Sequence, residues 1–365
     1  MKLVDIPAGD VPVTVRLMNP VNFGPAIIKR FMAPPVPGLD QWKDPSPSLS
    51  FLLEHPSGRR LVWDLGIRKD YANYAPKIAD YIPTTGYQFD NLCSVADMLT
   101  EHNVSTDVEA VIWSHWHWDH IGNPGTFPPS TDLIVGRGFK KAMLPGAPAN
   151  PDSPIQESDY AGRTLREIEF EGDNVLKIGQ FDAFDYFGDG SLYLLDTPGH
   201  AVGHLSALVR TTTGDKATFV LLGGDVCHYQ GILRPSAHLP VPAHILPHPC
   251  CGHPNVDEAA AKAGFCPGTA FDELQTDRGR KPTDTLYDLT FGLDVELATK
   301  TVGKLQELDC DENVFVIIAH DRFVRDVVPH FPANINDWHA KGFGEQVRWA
   351  FLGDLEEYWK SKGLL

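Results

Sequence analysis

The feature that most constrains the fold is a short apolar run that leads directly into a cluster of histidines and an aspartate. In VIWSHWHWDHIG, residues 111–122, four potential metal ligands fall within six residues: His115, His117, Asp119 and His120. Side chains alternate along an extended chain, so His115 and His117 point to the same side and can reach one cation. As the chain turns, Asp119 and His120 can face a second cation. The segment therefore predicts a metal site at the end of a buried strand.

Three further candidate ligands each follow an apolar run later in the chain. LLDTPGH ends in His200, LLGGD ends in Asp225 and VFVIIAH ends in His320. Loops at strand ends often carry sites, because the sheet positions them rigidly. A histidine-rich surface loop is the alternative, but it does not account for these three later positions. Imidazole and carboxylate ligands suit zinc, and also iron, manganese or cobalt, so we expect two zinc ions or two of these alternatives.

The order of strand-like and helical runs indicates the fold class. A PSGR turn joins LSFLLEH to LVWDLG and predicts a β-hairpin, and six more β-type runs follow between Arg166 and Asp225. Helical periodicity is found over Asn91–His102, 293–308 and 344–359. Strands in the middle with helices toward both ends favour two packed sheets covered by helices, an α/β arrangement. No domain boundary is visible, so residues 1–365 are expected to form a single domain.

Two irregular segments interrupt this pattern. The Pro-rich, aromatic N-terminal loop, residues 20–43, is either a lid or pocket wall, or a packed surface loop. The insertion between Asp225 and His320 is too long for an ordinary loop. Its first part, residues 234–253, is expected to fold over the active-site face, while residues 293–308 form an outer helix. Within it, PHPCCGHP could be a structural zinc loop, but adjacent cysteines fit that spacing poorly, and a Pro-rich capping loop is the alternative.

Composition and charge restrict the partners. A formal net charge of −17 over 365 residues disfavours nucleic acids and anionic membranes, so a small neutral molecule is the expected partner. The N-terminal sequence shows no basic segment followed by an apolar one, and no window approaches the ~18 apolar residues of a membrane span. The six cysteines are therefore expected to be reduced in a cytoplasmic protein.

Taken together, HxHxDH, the histidine after DTPG, the aspartate after GG and the late histidine resemble the metallo-β-lactamase superfamily. The resemblance covers the chain from near Asp64 to His320. It implies an αββα sandwich of two mixed sheets with helices on the outer faces. It also implies ligand roles: His115, His117 and His200 for one metal, Asp119, His120 and His320 for the other, and Asp225 as the bridge. Asp64 matches a position that supports the ligating histidines from behind, although an ordinary turn aspartate is the alternative.

Within the superfamily, the motif set is most similar to the N-acyl homoserine lactonase branch. The segments SHWHWDHIGNPGTFP and CPGTAF resemble longer fungal-type relatives, some of which act on cyclic carbamates or lactams. The resemblance implies a binuclear-metal hydrolase that opens a lactone with a metal-bridging hydroxide, with Asp119 carrying a proton to the leaving group. A cyclic amide or carbamate hydrolase of the same fold, a glyoxalase II-type thioesterase and a non-enzymatic metal-binding protein are the alternatives.

Substrate contacts are harder to assign. The lactonase branch has a tyrosine three residues after the bridging aspartate, where this chain has His228, with Tyr229 following. An imidazole can donate a hydrogen bond as a phenol does and can also protonate a leaving nitrogen, so we expect His228 to be catalytic. A histidine bound to a loop carbonyl is the alternative. Further pocket candidates are Tyr229, Phe127, Tyr81, Tyr87 and Phe89. Trp116 and Trp118 alternate with the ligands and are expected to pack in the core, as is His204 unless it supports a ligand.

Overall fold

The apolar runs form two six-stranded sheets in the computed structural model, which describes residues 2–42, 44–251 and 254–365. The strands of the first sheet are β1 (Thr14–Met18), β2 (Ser50–Glu54), β3 (Arg60–Trp63), β4 (Ala110–Ile112), β5 (Asp132–Val135) and β6 (Leu165–Glu167). Those of the second are β7 (Val175–Ile178), β8 (Phe181–Asp185), β9 (Leu192–Asp196), β10 (Leu205–Arg210), β11 (Phe219–Leu222) and β12 (Val314–Ile317). In both sheets, the strands lie side by side in the order in which they occur along the chain.

Both sheets are mixed, as predicted. In the first, β1, β2 and β3 are antiparallel, and β3 to β6 run parallel. In the second, β7 to β11 are antiparallel, and β12 pairs with β11 in parallel. The predicted hairpin is β2 with β3, in which Phe51 lies opposite Trp63 and Glu54 opposite Arg60.

Three hydrophobic cores define four layers. The core between the sheets contains Ile112 of β4 and Leu222 of β11, both fully buried. Their chain neighbours Val111 and Leu221 point the opposite way, because successive side chains of a strand alternate, and each packs in an outer core under helices. The architecture is therefore helix, sheet, sheet, helix, which confirms the αββα expectation.

The described helices are short apart from α9. They are α1 (Pro76–Tyr81), α2 (Val95–Glu101), α3 (Trp118–Ile121), α4 (Phe139–Met143), α5 (Glu157–Tyr160), α6 (Gln230–Leu233), α7 (Glu258–Ala263), α8 (Ala270–Asp277), α9 (Val295–Asp309), α10 (Arg322–Val327), α11 (Phe343–Arg348) and α12 (Glu356–Ser361). The 3-10 helices are Ile28–Arg30, Tyr71–Asn73, Ile82–Thr85, Pro124–Thr126 and Ala350–Leu355. Small added strands are Asn22–Gly24 with Ser46–Pro47 and Gln88–Asp90, and Met32–Ala33 with Asp288–Leu289.

Two of the three predicted helices form with slightly different ends, and the third does not form as one piece. Side-chain caps fix the starts of α2 and α9: Ser94 accepts a hydrogen bond from the Asp97 N–H, and Asp294 from the Leu297 N–H. The predicted helix over 344–359 is wrong, since α11, a 3-10 helix and α12 share that stretch. The chain passes so close to Pro249 at Gly353 that an added Cβ would lie 2.4 Å from a carbonyl oxygen, a crowding that accompanies the break.

We propose that residues 1–365 form one domain. Asn336, near the C-terminus, accepts a hydrogen bond from the Val15 N–H in β1 at 2.9 Å. Its amide donates to the carbonyl oxygens of Val13 at 2.8 Å and Thr211 at 3.0 Å, so one late residue joins both sheets. Among the described residues, no helix combines the length and apolar character needed to cross a membrane.

Candidate metal centre and pocket

The seven expected ligands come together after the C-terminal ends of four strands. The segment after β4 brings His115 and His117 and, in α3, Asp119 and His120; the other three follow β9, β11 and β12. One set consists of His115, His117, His200 and Asp225, and a second of Asp119, His120, Asp225 and His320. Within each set the ligand atoms lie within 4.8 Å of one another. Asp225 belongs to both sets.

The nitrogen atoms of the first set crowd around one point. Nε2 of His200 lies 3.1 Å from Nε2 of His115 and 3.0 Å from Nδ1 of His117. A neutral imidazole carries a single N–H, so hydrogen bonds between the rings cannot use all three lone pairs at once. One cation can accept all three lone pairs, so this donor set fits a metal ion.

The second set contains buried polar atoms that hydrogen bonds do not satisfy. Nε2 of His120 and Oδ1 of Asp225 lie 3.2 Å apart, yet neither has a hydrogen-bond partner among the described residues. A buried unsatisfied polar group costs about 1–3 kcal/mol, and a cation between the two atoms would remove that cost. Asp119 and Asp225 are also 8% and 2% exposed, and buried carboxylates need a compensating positive charge.

Asp64 lies directly behind His120. Its Oδ2 is 2.9 Å from Nδ1 of His120, and its carboxylate accepts hydrogen bonds from the Ser114 N–H at 2.6 Å and the Ser114 hydroxyl at 2.7 Å. The carboxylate therefore keeps the proton of His120 on Nδ1 and leaves Nε2 free to face the second set. Burial raises the pKa of Asp64, against the influence of His120 and Ser114. The backbone is left-handed there, with φ 54°, a conformation that aspartate tolerates better than most residues.

His204 supports the bridging position through the backbone. Its Nε2 accepts a hydrogen bond from the Asp225 N–H at 3.0 Å, and its Nδ1 donates to the Thr197 carbonyl oxygen at 3.0 Å. Burial lowers the pKa of His204 to about 3, so the ring is neutral and can accept this bond. Of the two expectations for this residue, support of a ligand agrees with these contacts.

The electrostatic surroundings of the two sets differ. Burial lowers the pKa of His115 and His200 well below the usual range and that of His117 to about 4, so these rings are neutral, the form that binds metal. Burial also opposes protonation of His120 and His320, but the Asp225 and Asp119 carboxylates raise the pKa of both. The second set therefore holds more negative charge for a cation to neutralise.

A pocket opens onto both sets. On the metal side it is lined by His117, Asp119, Asp225, His228 and His320. Its wall is largely aromatic, formed by Phe23, Phe31, Trp42, Tyr81, Tyr87, Trp118 and Phe291. This lining, largely aromatic with a few convergent polar groups, is typical of a site for a small molecule.

The N-terminal loop supplies much of that wall, through Phe23, Ala26, Arg30, Phe31 and Trp42. The pocket-wall interpretation of residues 20–43 is therefore correct for the described part of the loop, while Lys43 lies outside the described residues. Phe31 packs against Trp42 with ring centroids 5.8 Å apart and against His228 at 5.1 Å. The loop thus reaches the residues beside the metal ligands.

Comparison with known proteins agrees with this geometry. Residues 44–211 match the model of the metallo-beta-lactamase superfamily. The gamma-lactamase FDB1 of Fusarium pseudograminearum is 39% identical over 363 residues, which span 96% of this chain and 84% of that protein. The chain belongs to the metallo-beta-lactamase superfamily. The metallo-hydrolase mfmC of Annulohypoxylon moriforme is 42% identical over 359 residues, spanning 96% of this chain and 89% of that protein.

Solved structures show the same fold at greater distance. A variant of AiiA from B. thuringiensis with N-decanoyl-L-homoserine bound at its active site aligns with a TM-score of 0.52 and 18% identity, over 90% of this chain and all of that one. The expected fold is thereby confirmed. With the two ligand sets, family membership makes this chain a metal-dependent hydrolase.

His228 and Tyr229 point in different directions in this superfamily member. Nε2 of His228 lies 3.2 Å from Oδ2 of Asp225, and the ring lines the pocket. The Tyr229 hydroxyl instead donates to Asp354 at 2.7 Å and lies 3.1 Å from the Phe351 carbonyl oxygen, and Tyr229 does not line the aromatic pocket. Its expected place as a substrate contact is corrected, because those contacts hold the phenol in the outer core.

Phe127 and Trp118 both lie in the core outside the first sheet, and Trp118 also lines the pocket. Phe127, expected in the pocket, is 3% exposed in the core outside the first sheet, because the Pro124–Thr126 turn directs it there. Trp118 packs in the same core, as expected, and also lines the pocket, where its ring centroid lies 5.9 Å from that of Phe23. Helix α3 begins at Trp118, so strand alternation no longer sets its direction. Tyr81 and Tyr87, two of the pocket candidates, line the pocket. Phe89 does not line it, and its ring centroid lies 6.1 Å from that of Trp118.

The prediction that residues 234–253 cover the active site is wrong. None of their described residues lines the pocket. Ile245 forms a bridge with Phe265, which packs against Trp359 in the outer core of the second sheet. A later residue of the insertion, Phe291, reaches the pocket instead, in a stretch without periodicity that gave no local signal. Gly252 and His253, part of the suggested zinc loop, lie outside the described residues.

Proposed function

We propose that this chain opens the ring of a small cyclic amide or cyclic ester, using two metal ions held by its seven histidine and aspartate ligands. The observation that carries the proposal is the position of Asp225, which belongs to both ligand sets at the floor of the aromatic pocket. Two adjacent metal ions supply a hydroxide at neutral pH and polarise a carbonyl group. The ligand assignment is His115, His117 and His200 for one metal, Asp119, His120 and His320 for the other, and Asp225 for both.

Asp119 is the proposed proton carrier. Its Oδ2 lies 3.5 Å from Nε2 of His320 and 3.9 Å from Nε2 of His120, so one carboxylate oxygen is oriented toward the second set. Asp119 also lines the pocket, where the leaving atom of a substrate would lie. A carboxylate in this place can take a proton from the attacking water and deliver it to the leaving nitrogen or oxygen.

The pocket supports a small ring-bearing substrate. Seven aromatic side chains form its wall, and flat apolar rings pack well against aromatic faces. Two observations favour a cyclic amide over a cyclic ester. A relative that aligns with 96% of this chain is a gamma-lactamase. In addition, His228 lies on the metal side of the pocket, where its ring can donate a hydrogen bond. The ester remains the second candidate because solved lactonases share the fold. Zinc is the proposed metal, since imidazole and carboxylate donors suit it. The cytoplasmic location stays a prediction.

A matched substrate panel tests this function. Zinc-loaded protein is incubated with a five-membered lactam, lactone and cyclic carbamate carrying the same aromatic substituent, and with an open-chain thioester as the control. We expect ring opening of at least one cyclic substrate, lost on chelation and regained on adding zinc. Protein that holds two metal ions and opens none of the rings, or that prefers the thioester, would contradict the proposal.

A further inference from the structure

A small second cavity shares His228 and other lining residues with the aromatic pocket. Trp42, Ser46, His228 and His320 line both spaces. Gln230 and Asp321 line the second cavity but not the aromatic pocket. Its accessible volume of about 10 Å³ is close to the space that one water molecule needs.

Three buried polar atoms belong to residues around this cavity, and none has a hydrogen-bond partner among the described residues. They are Nε1 of Trp42, Nδ1 of His228 and Oε1 of Gln230. The three residues are 6%, 5% and 2% exposed, so bulk water does not solvate them freely. Buried polar groups in proteins nearly always have a hydrogen-bond partner. One unsatisfied group can be an exception, but three such groups around one small cavity point to a partner that they share.

The hydrogen-bonding character of each atom can be assigned. Trp42 Nε1 carries a hydrogen and can only donate. The Gln230 side-chain nitrogen donates to the Asp321 carboxylate, which leaves Oε1 as an acceptor directed elsewhere. Nε2 of His228 lies 3.2 Å from a carboxylate oxygen of Asp225, which can only accept, so Nε2 carries a hydrogen, and in the tautomer with this single N–H the acceptor is Nδ1.

One donor and two acceptors are the complement of a single water molecule, which can accept one hydrogen bond and donate two. We propose that this cavity binds an ordered water molecule that joins Trp42, Gln230 and His228. Trp42 and Gln230 are then positioning residues. They hold His228 in the form whose Nε2–H faces Asp225 and the pocket, where it can donate to a carbonyl oxygen or a leaving atom. The water site itself does not depend on which ring the enzyme opens, while its catalytic consequence rests on the proposed function.

The test measures the position of the proton on His228. Zinc-loaded protein is prepared with ¹⁵N-labelled histidine, and the His228 resonances are identified by their loss in His228→Phe. We expect Nδ1 to be unprotonated in the unmodified protein and to shift toward the protonated position in Trp42→Phe and in Gln230→Met. Tyr229→Phe is the matched control: it lines the same cavity but bonds to Asp354, so it should leave the His228 resonances in place.

A crystal structure of the zinc-loaded protein gives a second readout that does not depend on the variants. We expect a water molecule about 2.7–3.2 Å from all three atoms. Variants are compared only where they retain two zinc ions, so a folding defect is recognised separately. A protonated Nδ1 in the unmodified protein, or no water within reach of the three atoms, overturns the proposal. Neither readout uses turnover, so a failure of the proposed function would be seen independently.

Discussion

Nδ1 of His120 lies 2.9 Å from Oδ2 of Asp64, and both side chains are fully shielded from solvent. Through Ser114 the same carboxylate also binds the chain that leads from β4 into the ligand segment. Asp64 therefore fixes both the ring of one ligand and the backbone before the others. Groups behind metal ligands typically contribute 10–100-fold in metal affinity, so this pair makes a testable contribution to the second set.

Replacing Asp64 with asparagine should weaken the second metal site selectively. Asparagine tolerates the left-handed backbone at this position, but a weaker, neutral amide oxygen replaces the carboxylate at His120. We expect about a 10–100-fold loss of affinity for one of two metal ions, measured by chelator competition. The control Asn91→Asp also exchanges asparagine and aspartate at a left-handed position, with φ 57°. It should change the affinity for neither metal ion. Equal affinities in Asp64→Asn and the unmodified protein would show that Asp64 supports only the fold.

Asp119→Asn tests the proton carrier. The amide can still lie beside the second set, but it cannot take up and release a proton at neutral pH. We expect kcat to fall by about 10²-fold or more in protein that retains two metal ions, the scale of a lost acid–base group. Asp97→Asn, on the surface of α2, is the control and should keep normal turnover. A nearly unchanged kcat in metal-replete Asp119→Asn would assign the proton transfer to another group.

His228→Phe and Tyr229→Phe distinguish the two neighbours. His228 lies beside Asp225 in the pocket, while the Tyr229 hydroxyl is bound to Asp354. A leaving nitrogen needs protonation more than a leaving oxygen does. We therefore expect His228→Phe to lower kcat/KM more for a lactam than for the matched lactone. Expressed as lost transition-state stabilisation, the difference between the two substrates should be about 1–2 kcal/mol. Equal losses on both substrates, or a larger effect from Tyr229→Phe, would contradict the role given to His228.

A buried ion pair anchors the start of the insertion to its end, and its loss should destabilise the fold. Arg234 donates from Nε at 2.8 Å to Asp309, which is at the end of α9, and its terminal nitrogen binds the other carboxylate oxygen. Asp309→Ala would leave a buried guanidinium unpaired, at a cost of about 3–5 kcal/mol of unfolding free energy. Asp182→Ala breaks the exposed pair with Lys177 and should cost at most about 1 kcal/mol. Urea unfolding measures both, and similar losses would refute the anchoring role.

The sequence predicted well which candidate ligands the fold brings together, because each one follows an apolar strand. The strand end fixes the direction of the side chain, and short-range order is enough to place His200, Asp225 and His320. The two-sheet architecture follows for the same reason, since adjacent residues such as Leu221 and Leu222 face opposite layers. The features that depend on residues close together in the chain could therefore be predicted.

The pocket wall could be predicted only in part: the sequence indicates the loop over 20–43, Tyr81 and Tyr87 as pocket candidates, but not Trp118 or Phe291. Phe23, Tyr87, Trp118 and Phe291 come from four distant segments, and only the tertiary fold brings their rings together. The Pro-rich stretch near Ile245 has no period to reveal its pairing with Phe265, so its composition suggested a cover over the site. Consecutive buried residues in the final segment, such as Phe351 and Leu352, likewise fit no single helical face.

Two metal ions, joined by Asp225, are proposed to act together in ring opening. Titrating metal-free protein with zinc while following hydrolysis of a cyclic substrate tests it most directly. The geometry predicts two bound ions per chain, with activity rising mainly with the second equivalent, and loss of both binding and turnover in Asp225→Ala. Full turnover at one equivalent, or two tightly bound ions in Asp225→Ala, would contradict it.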